Sequence, residues 1–170
     1  MLSMKADPII PGKQIPPPPL EDMEKVADQV DESDPELLPF FEVEAAEVLS
    51  KMESLLQAWH VPGSGCPCPL DNLRICLHTL KGAANSIGQL RIGSLAGGMK
   101  DVLHILKPAQ VVVMRTDLTK TTIIVMEAIK VLLREAHAPQ YNRARKELIL
   151  SAIHSILDLK QKVVIAQSAP

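Results

Sequence analysis

The feature that most constrains this chain is one stripe. Leu38, Phe41, Ala45, Val48, Met52, Leu55 and Trp59 recur at spacings of three and four residues, which lays them along one side of an α-helix for about six turns. A half-buried strand needs alternation, and no long segment alternates. Asp34 is a candidate N-cap, Pro35 suits the first helical position, and Glu36 suits the positive end of the helix dipole. The same period returns four times. Leu73, Leu77, Leu80, Ala84 and Ile87 predict a helix over 70–87, and Ile92, Leu95, Met99, Val102 and Leu106 one over 90–106. Val125, Ile129 and Leu132 predict a helix over 117–136, and Ile149, Ile153, Ile156 and Val163 one over 140–165. Lys107-Pro108 stops the third helix, and 109–115 reads as a short strand or an extended connector. The expected fold is all-α: an antiparallel four-helix bundle with an additional C-terminal helix.

Composition agrees. Apolar residues make up 46% of the chain but aromatics only 2%, so the core is built from Leu, Ile, Val, Met and Ala, as helical bundles allow and sheets disfavour. A length of 170 residues suits one domain with a real core. Six of the 14 prolines fall in the first 20 residues, so 1–33 reads as a Pro-rich, acidic tail with a short helix within 20–30. The helical domain is then 34–165, and 166–170 is a second short tail.

Several function classes recede. No apolar run reaches the roughly 18 residues that span a bilayer, and the first residues lack a signal-peptide core. The expectation is a cytoplasmic protein without membrane attachment. A net charge of −2 gives no argument for nucleic acid. The charge is lopsided, however: residues 1–59 hold 4 Lys/Arg against 13 Asp/Glu, and 60–170 hold 14 against 7. Either the basic part draws an acidic or phosphorylated partner, or the acidic first part lies against the basic remainder. Three cysteines argue against a disulfide framework. Cys66 and Cys68, with His60, form a minor metal alternative; the favoured reading assigns no metal and leaves two reduced thiols in a loop.

The stretch "LHTLKGAANSIG" at 77–88 carries chemistry. Beside the buried stripe runs a polar one: Arg74, His78, Lys81 and Asn85, with Gly82 on the same face. A mid-helix glycine costs roughly 1 kcal/mol relative to alanine. Here it clears the space beside the His78 ring for an incoming molecule. An exposed neutral imidazole is a nucleophile near pH 7, and Lys81 lies one turn away, able to balance the charge of a transferred phosphoryl group. His60, His104, His137 and His154 read as structural or solvated. "GSLAGGMK" at 93–100 is not a phosphate loop, because its lysine is misplaced and no strand precedes it.

These residues resemble the signature of histidine-containing phosphotransfer (HPt) domains: His-x-x-Lys-Gly with a second glycine ten residues after the histidine, filled by His78, Lys81, Gly82 and Gly88. "PELLPFFEVEAAEVLSKMESLL" and "LRIGSLAGGMKDVL" are similar to the family's first and third helices. The pattern looks most like the N-terminal phosphotransfer domain of chemotaxis-type histidine kinases. The resemblance implies that His78 accepts a phosphoryl group, that Lys81 supports it, and that Gly82, Arg74 and Asn85 form the docking face. Implied partners are a histidine kinase and a response-regulator receiver domain, the latter supplying the aspartate and the Mg²⁺. This chain would bind no cofactor itself, and the family is often monomeric. Without ATP-binding or dimerisation segments, it reads as a stand-alone carrier or a piece of a larger kinase. The alternative is a non-phosphorylated helical adaptor that binds its partner through the same face. Two departures stand out: the third helix has Met99-Lys100 where the family often has Leu-Glu, and it contains Gly97 and Gly98.

Overall fold

The computed structural model describes residues 16–27, 31–60, 69–137 and 143–168. A 3₁₀ turn at Leu20–Asp22 leads into a one-turn helix α1 (Met23–Val26). The bundle follows as α2 (Leu38–His60), α3 (Leu70–Ser86), α4 (Leu90–Ile105), α6 (Arg115–His137) and α7 (Arg143–Ser168), with a short α5 (Pro108–Val113) between α4 and α6. All regular structure among the described residues is helical, as expected. α4 is central, packed by α3, α6 and α7, while α2 lies on α3 and α6.

The stripes of α3, α4, α6 and α7 are buried as the spacing required, every residue named for them being in the core. α2 is turned slightly from its expected face. Phe41, Ala45 and Met52 are buried together with Leu49 and Leu56, whereas Leu38, Val48, Leu55 and Trp59 pack only partly. Trp59 carries the Arg115 guanidinium 5.2 Å above its ring. The start of α2 also shifts. Asp34 Oδ1 accepts from the Glu36 N–H at 2.9 Å and the Asp34 carbonyl accepts from the Leu38 N–H at 3.0 Å, so Asp34 closes an Asx-type turn and regular helix begins at Leu38.

The connector 109–115 is helical rather than extended. Pro108 occupies the first turn of α5, and Gln110 Oε1 accepts from the Lys107 N–H at 3.0 Å. That reciprocal cap outweighs the β preference of three valines, and Val112 and Val113 point into solvent.

The N-terminal segment is not a free tail where it is described. Leu20, Met23 and Ala27 are buried, Ser94 Oγ donates to the Pro18 carbonyl at 2.7 Å, and a Cβ on Gly98 would press on the Leu20 methyls. Residues 16–27 and 31–34 thus lie as a strap across α4. Composition hides this: proline and acid dominate the segment, while three apolar side chains seat it. Acidic residues of the first part pair with bases of the second, Glu53 with Lys130 at 2.7 Å, Asp31 with Arg91 at 3.2 Å, Glu21 with Lys160 at 3.6 Å, and Glu24 with His154. The lopsided charge is therefore largely satisfied within the chain.

Cys76 is buried in the core, and burial pushes its thiol above the ordinary range. The thiolate is the reactive form, so Cys76 in the folded protein is expected to resist alkylation at pH 7.5 and to react once the chain is unfolded in urea. Mass spectrometry of iodoacetamide-treated protein checks this; rapid labelling of Cys76 without denaturant would show the helix open at that point.

Candidate functional site

α3 presents three faces. Leu73, Cys76, Leu77, Leu80 and Ala84 are buried. Ile75, His78 and Gly82 lie on the open side and are exposed. Between the two, Arg74, Lys81 and Asn85 run along the seam with α4, and each meets α4 differently. Arg74 Nε donates to the Leu103 carbonyl at 3.0 Å and Nη1 to Asp71 at 2.7 Å. The Lys81 side chain lies across Gly97, where a Cβ would sit 3.3–3.4 Å from Cδ, Cε and Nζ. Asn85 lies against Gly93, where a Cβ would overlap its Oδ1. That oxygen is buried with no hydrogen-bond partner.

The expected polar stripe thus divides. His78 and Gly82 remain open, Lys81 is half-buried at the edge, and Arg74 and Asn85 are held in the helix–helix seam. Arg74 ties α3 to α4 while its side chain stays 30% exposed. α4 can come this close because it has glycines at 93 and 97. Gly97 is one of the two glycines that stood out against the third-helix pattern, and small residues admit the side chains of the neighbouring helix. Lys81 also borders a cleft of about 220 Å³ between α4 and the strap, with Pro17, Pro18 and Pro19 on its far wall.

Gly82 and Gly88 differ in what they do. Gly88 has φ +86°. The Gln89 N–H donates to the Ala84 carbonyl at 2.8 Å and the Gly88 N–H to the Asn85 carbonyl at 3.4 Å, a Schellman cap that closes α3. A Cβ there would also overlap the Glu32 carbonyl. Gly88 is structural. Gly82 has neither constraint: it lies inside the helix, its φ is not positive, and a Cβ would meet nothing within 4 Å. None of the described residues requires that glycine.

Two further residues, Ile75 and Lys100, were not singled out from the sequence. Ile75, 58% exposed, sits three residues before His78 on the same face; its place off the apolar stripe of α3 was the signal that could have found it. Lys100 on α4 lies along the same seam, a position visible only once the helix register is known. Cys66 and Cys68 fall outside the described residues, as does the side chain of His60, and the described residues contain no group of three or more metal-ligating side chains. No helix among the described residues is long and apolar enough to cross a membrane.

An exposed histidine with a lysine one turn on, carried on the second long helix of an antiparallel bundle, defines a helical phosphotransfer class. The match of a family model confirms it: the Hpt domain model covers residues 36–138, and the chain belongs to the Hpt domain family. Its function therefore lies in histidine phosphotransfer within phosphorelay signalling. The match runs from just before α2 to just past α6, leaving the strap and α7 outside it. No curated protein and no solved structure matches the chain significantly.

Proposed function

We propose that His78 is the phosphoacceptor and that the protein exchanges its phosphoryl group with the aspartate of a response-regulator receiver domain. A histidine kinase is the upstream source. One observation carries this most directly: Gly82 sits in mid-helix beside an exposed histidine, destabilises the helix, and is required by none of the described residues. Clearing the surface for a second macromolecule accounts for it.

In the transfer, the neutral His78 imidazole nitrogen attacks the phosphorus of the receiver's aspartyl phosphate. An N–P bond forms, the P–O bond to the aspartate breaks, and the carboxylate leaves. Mg²⁺ on the receiver balances charge on the transferring group. This chain contributes the nucleophile, the Lys81 ammonium at the edge of the same face, and a surface flat enough for close approach. Exposed Ile75 adds apolar contact area beside the histidine. Arg74 and Asn85 act indirectly, by fixing the spacing of α3 and α4.

Incubation with a phosphorylated receiver, or with a histidine kinase and ATP, tests the reading by the appearance of acid-labile, base-stable phosphate on the protein. Binding without any transfer, across a panel of receivers and kinases, is the outcome expected of an adaptor.

Gly82 gives a sharper test. Gly82→Ala is expected to stabilise the fold by about 1 kcal/mol, because the new methyl meets nothing within 4 Å. Gly82→Gln is expected to fold as well but to slow transfer from a receiver by an order of magnitude or more. Urea melts and single-turnover transfer measure the two effects. Unimpaired transfer by Gly82→Gln would remove the docking role from the glycine.

A further inference from the structure

We infer that Lys100 is a second phosphoryl-binding cation, reaching the His78 site from the opposite helix. The inference rests on His78 being the phosphoacceptor and concerns how the phosphoryl group is held.

The register of α3 against α4 supplies the argument. Asn85 meets Gly93, Lys81 meets Gly97, and Arg74 meets Leu103, so each step back along α3 is matched by a step forward along α4. The residue that this register sets against His78 is Lys100. The spacing agrees. On α3 the seam residues Asn85, Lys81 and Arg74, with His78 at their open edge, stand at intervals of four, three and four. On α4 the facing row is Gly93, Gly97, Lys100 and His104, at the same intervals. Two of those α4 positions are glycines filled by α3 side chains. The third carries a lysine at the level of the exposed imidazole.

Lys100 is free for the role. Its side chain is 28% exposed, so its stem is held while its end reaches the surface. Its ion pair is a loose one, 3.5 Å to Asp101, whose own side chain is 66% exposed. The other cation nearby, Arg74, is occupied by Asp71 and the Leu103 carbonyl. A phosphoryl group on His78 would therefore lie between Lys81, one turn along the same helix, and Lys100, across the seam. Two ammonium groups approaching from different helices balance a dianion better than one.

Phosphoramidate, a small anionic donor that phosphorylates histidine without a kinase, provides the probe. Labelling at His78 is followed by peptide mapping in the full chain, together with the half-life of the phosphohistidine. Lys100→Arg is expected to behave as the native protein. Lys100→Gln should lower the labelling rate by about 3–10-fold and Lys100→Glu by about 10–100-fold, with the difference shrinking in high salt. Circular dichroism melts of all three are compared with the native protein, so that a change in rate is read from variants that fold as it does. Native rates for Lys100→Gln and Lys100→Glu, with label still on His78, would overturn the role of Lys100 and leave the phosphoacceptor assignment intact. Absence of label at His78 in the native protein would overturn both.

Discussion

His78→Gln is expected to fold as the native protein and to take up no phosphate from a phosphorylated receiver. Glutamine occupies similar space and keeps a polar end, but its amide nitrogen has no available lone pair to attack phosphorus. His78 is exposed on α3, so the change should move stability by no more than about 0.5 kcal/mol. Loss of transfer should be complete within detection, since the nucleophile itself is gone. The assay is acid-labile, base-stable label in native and variant protein at matched concentration, with urea melts for both. Equal labelling of the variant would move the acceptor to another histidine. His104 would be the first to examine, because it is exposed at the end of the α4 row that faces His78.

The largest loss of stability is expected from Arg91→Ala, far from the phosphoryl chemistry. Arg91 is 4% exposed. Its Nε donates to Asp31 at 3.2 Å, Nη1 to the Ala27 carbonyl at 3.2 Å, and Nη2 to Glu135 at 3.1 Å. One guanidinium thus joins the strap, α4 and α6, and its five donors suit such branching. Removing it strands the buried Asp31 carboxyl and leaves Glu135 with the Arg145 guanidinium at 3.9 Å, a situation that typically costs about 3–5 kcal/mol, against total stabilities of about 5–15 kcal/mol for domains.

The pH dependence has a definite sign. Burial already pushes the Asp31 carboxyl above its ordinary range, even with Arg91 beside it. The folded state therefore binds that proton more tightly than the unfolded state does. Its contribution to stability is fullest below the ordinary carboxylate range and is lost as pH rises through the raised value. Without Arg91 the Asp31 carboxyl should shift further upward, so Arg91→Ala should be less damaged at pH 5 than at pH 7.5. Adding Asp31→Asn and Glu135→Gln should restore part of the loss at the higher pH. Urea melts at the two pH values read this directly. A deficit independent of pH would mean that lost packing, and not stranded charge, is the cause.

Much of the bundle is legible in the sequence because a helix carries its own address. Leu73, Leu77, Leu80 and Ala84 are buried since a period of 3.6 residues leaves them no other common side. His78, Lys81 and Gly82 are legible for the same reason: their neighbourhood is made within one turn. Gly88 could be read as a cap because only a positive φ favours glycine there. The strap was hidden, since Leu20, Met23 and Ala27 find their burial on α4, and nothing nearby in sequence announces that surface. α5 was misread because the valines favour a strand, while the cap that decides the matter depends on how Gln110 folds back on Lys107.

The sequence by itself determined the five long helices, the buried sides of α3, α4, α6 and α7, and the histidine, lysine and glycine that share one turn of α3. These depend on contacts three or four residues apart, which the chain encodes locally. Only the tertiary structure decided which polar residues of that stripe stay available. Arg74 and Asn85 are drawn into the seam, Lys81 is laid across Gly97, and Lys100 is brought to the level of His78. Those outcomes depend on the register between two antiparallel helices. The register is set by side chains of α3 filling the space left at Gly93 and Gly97, and it exists only once the two helices have packed.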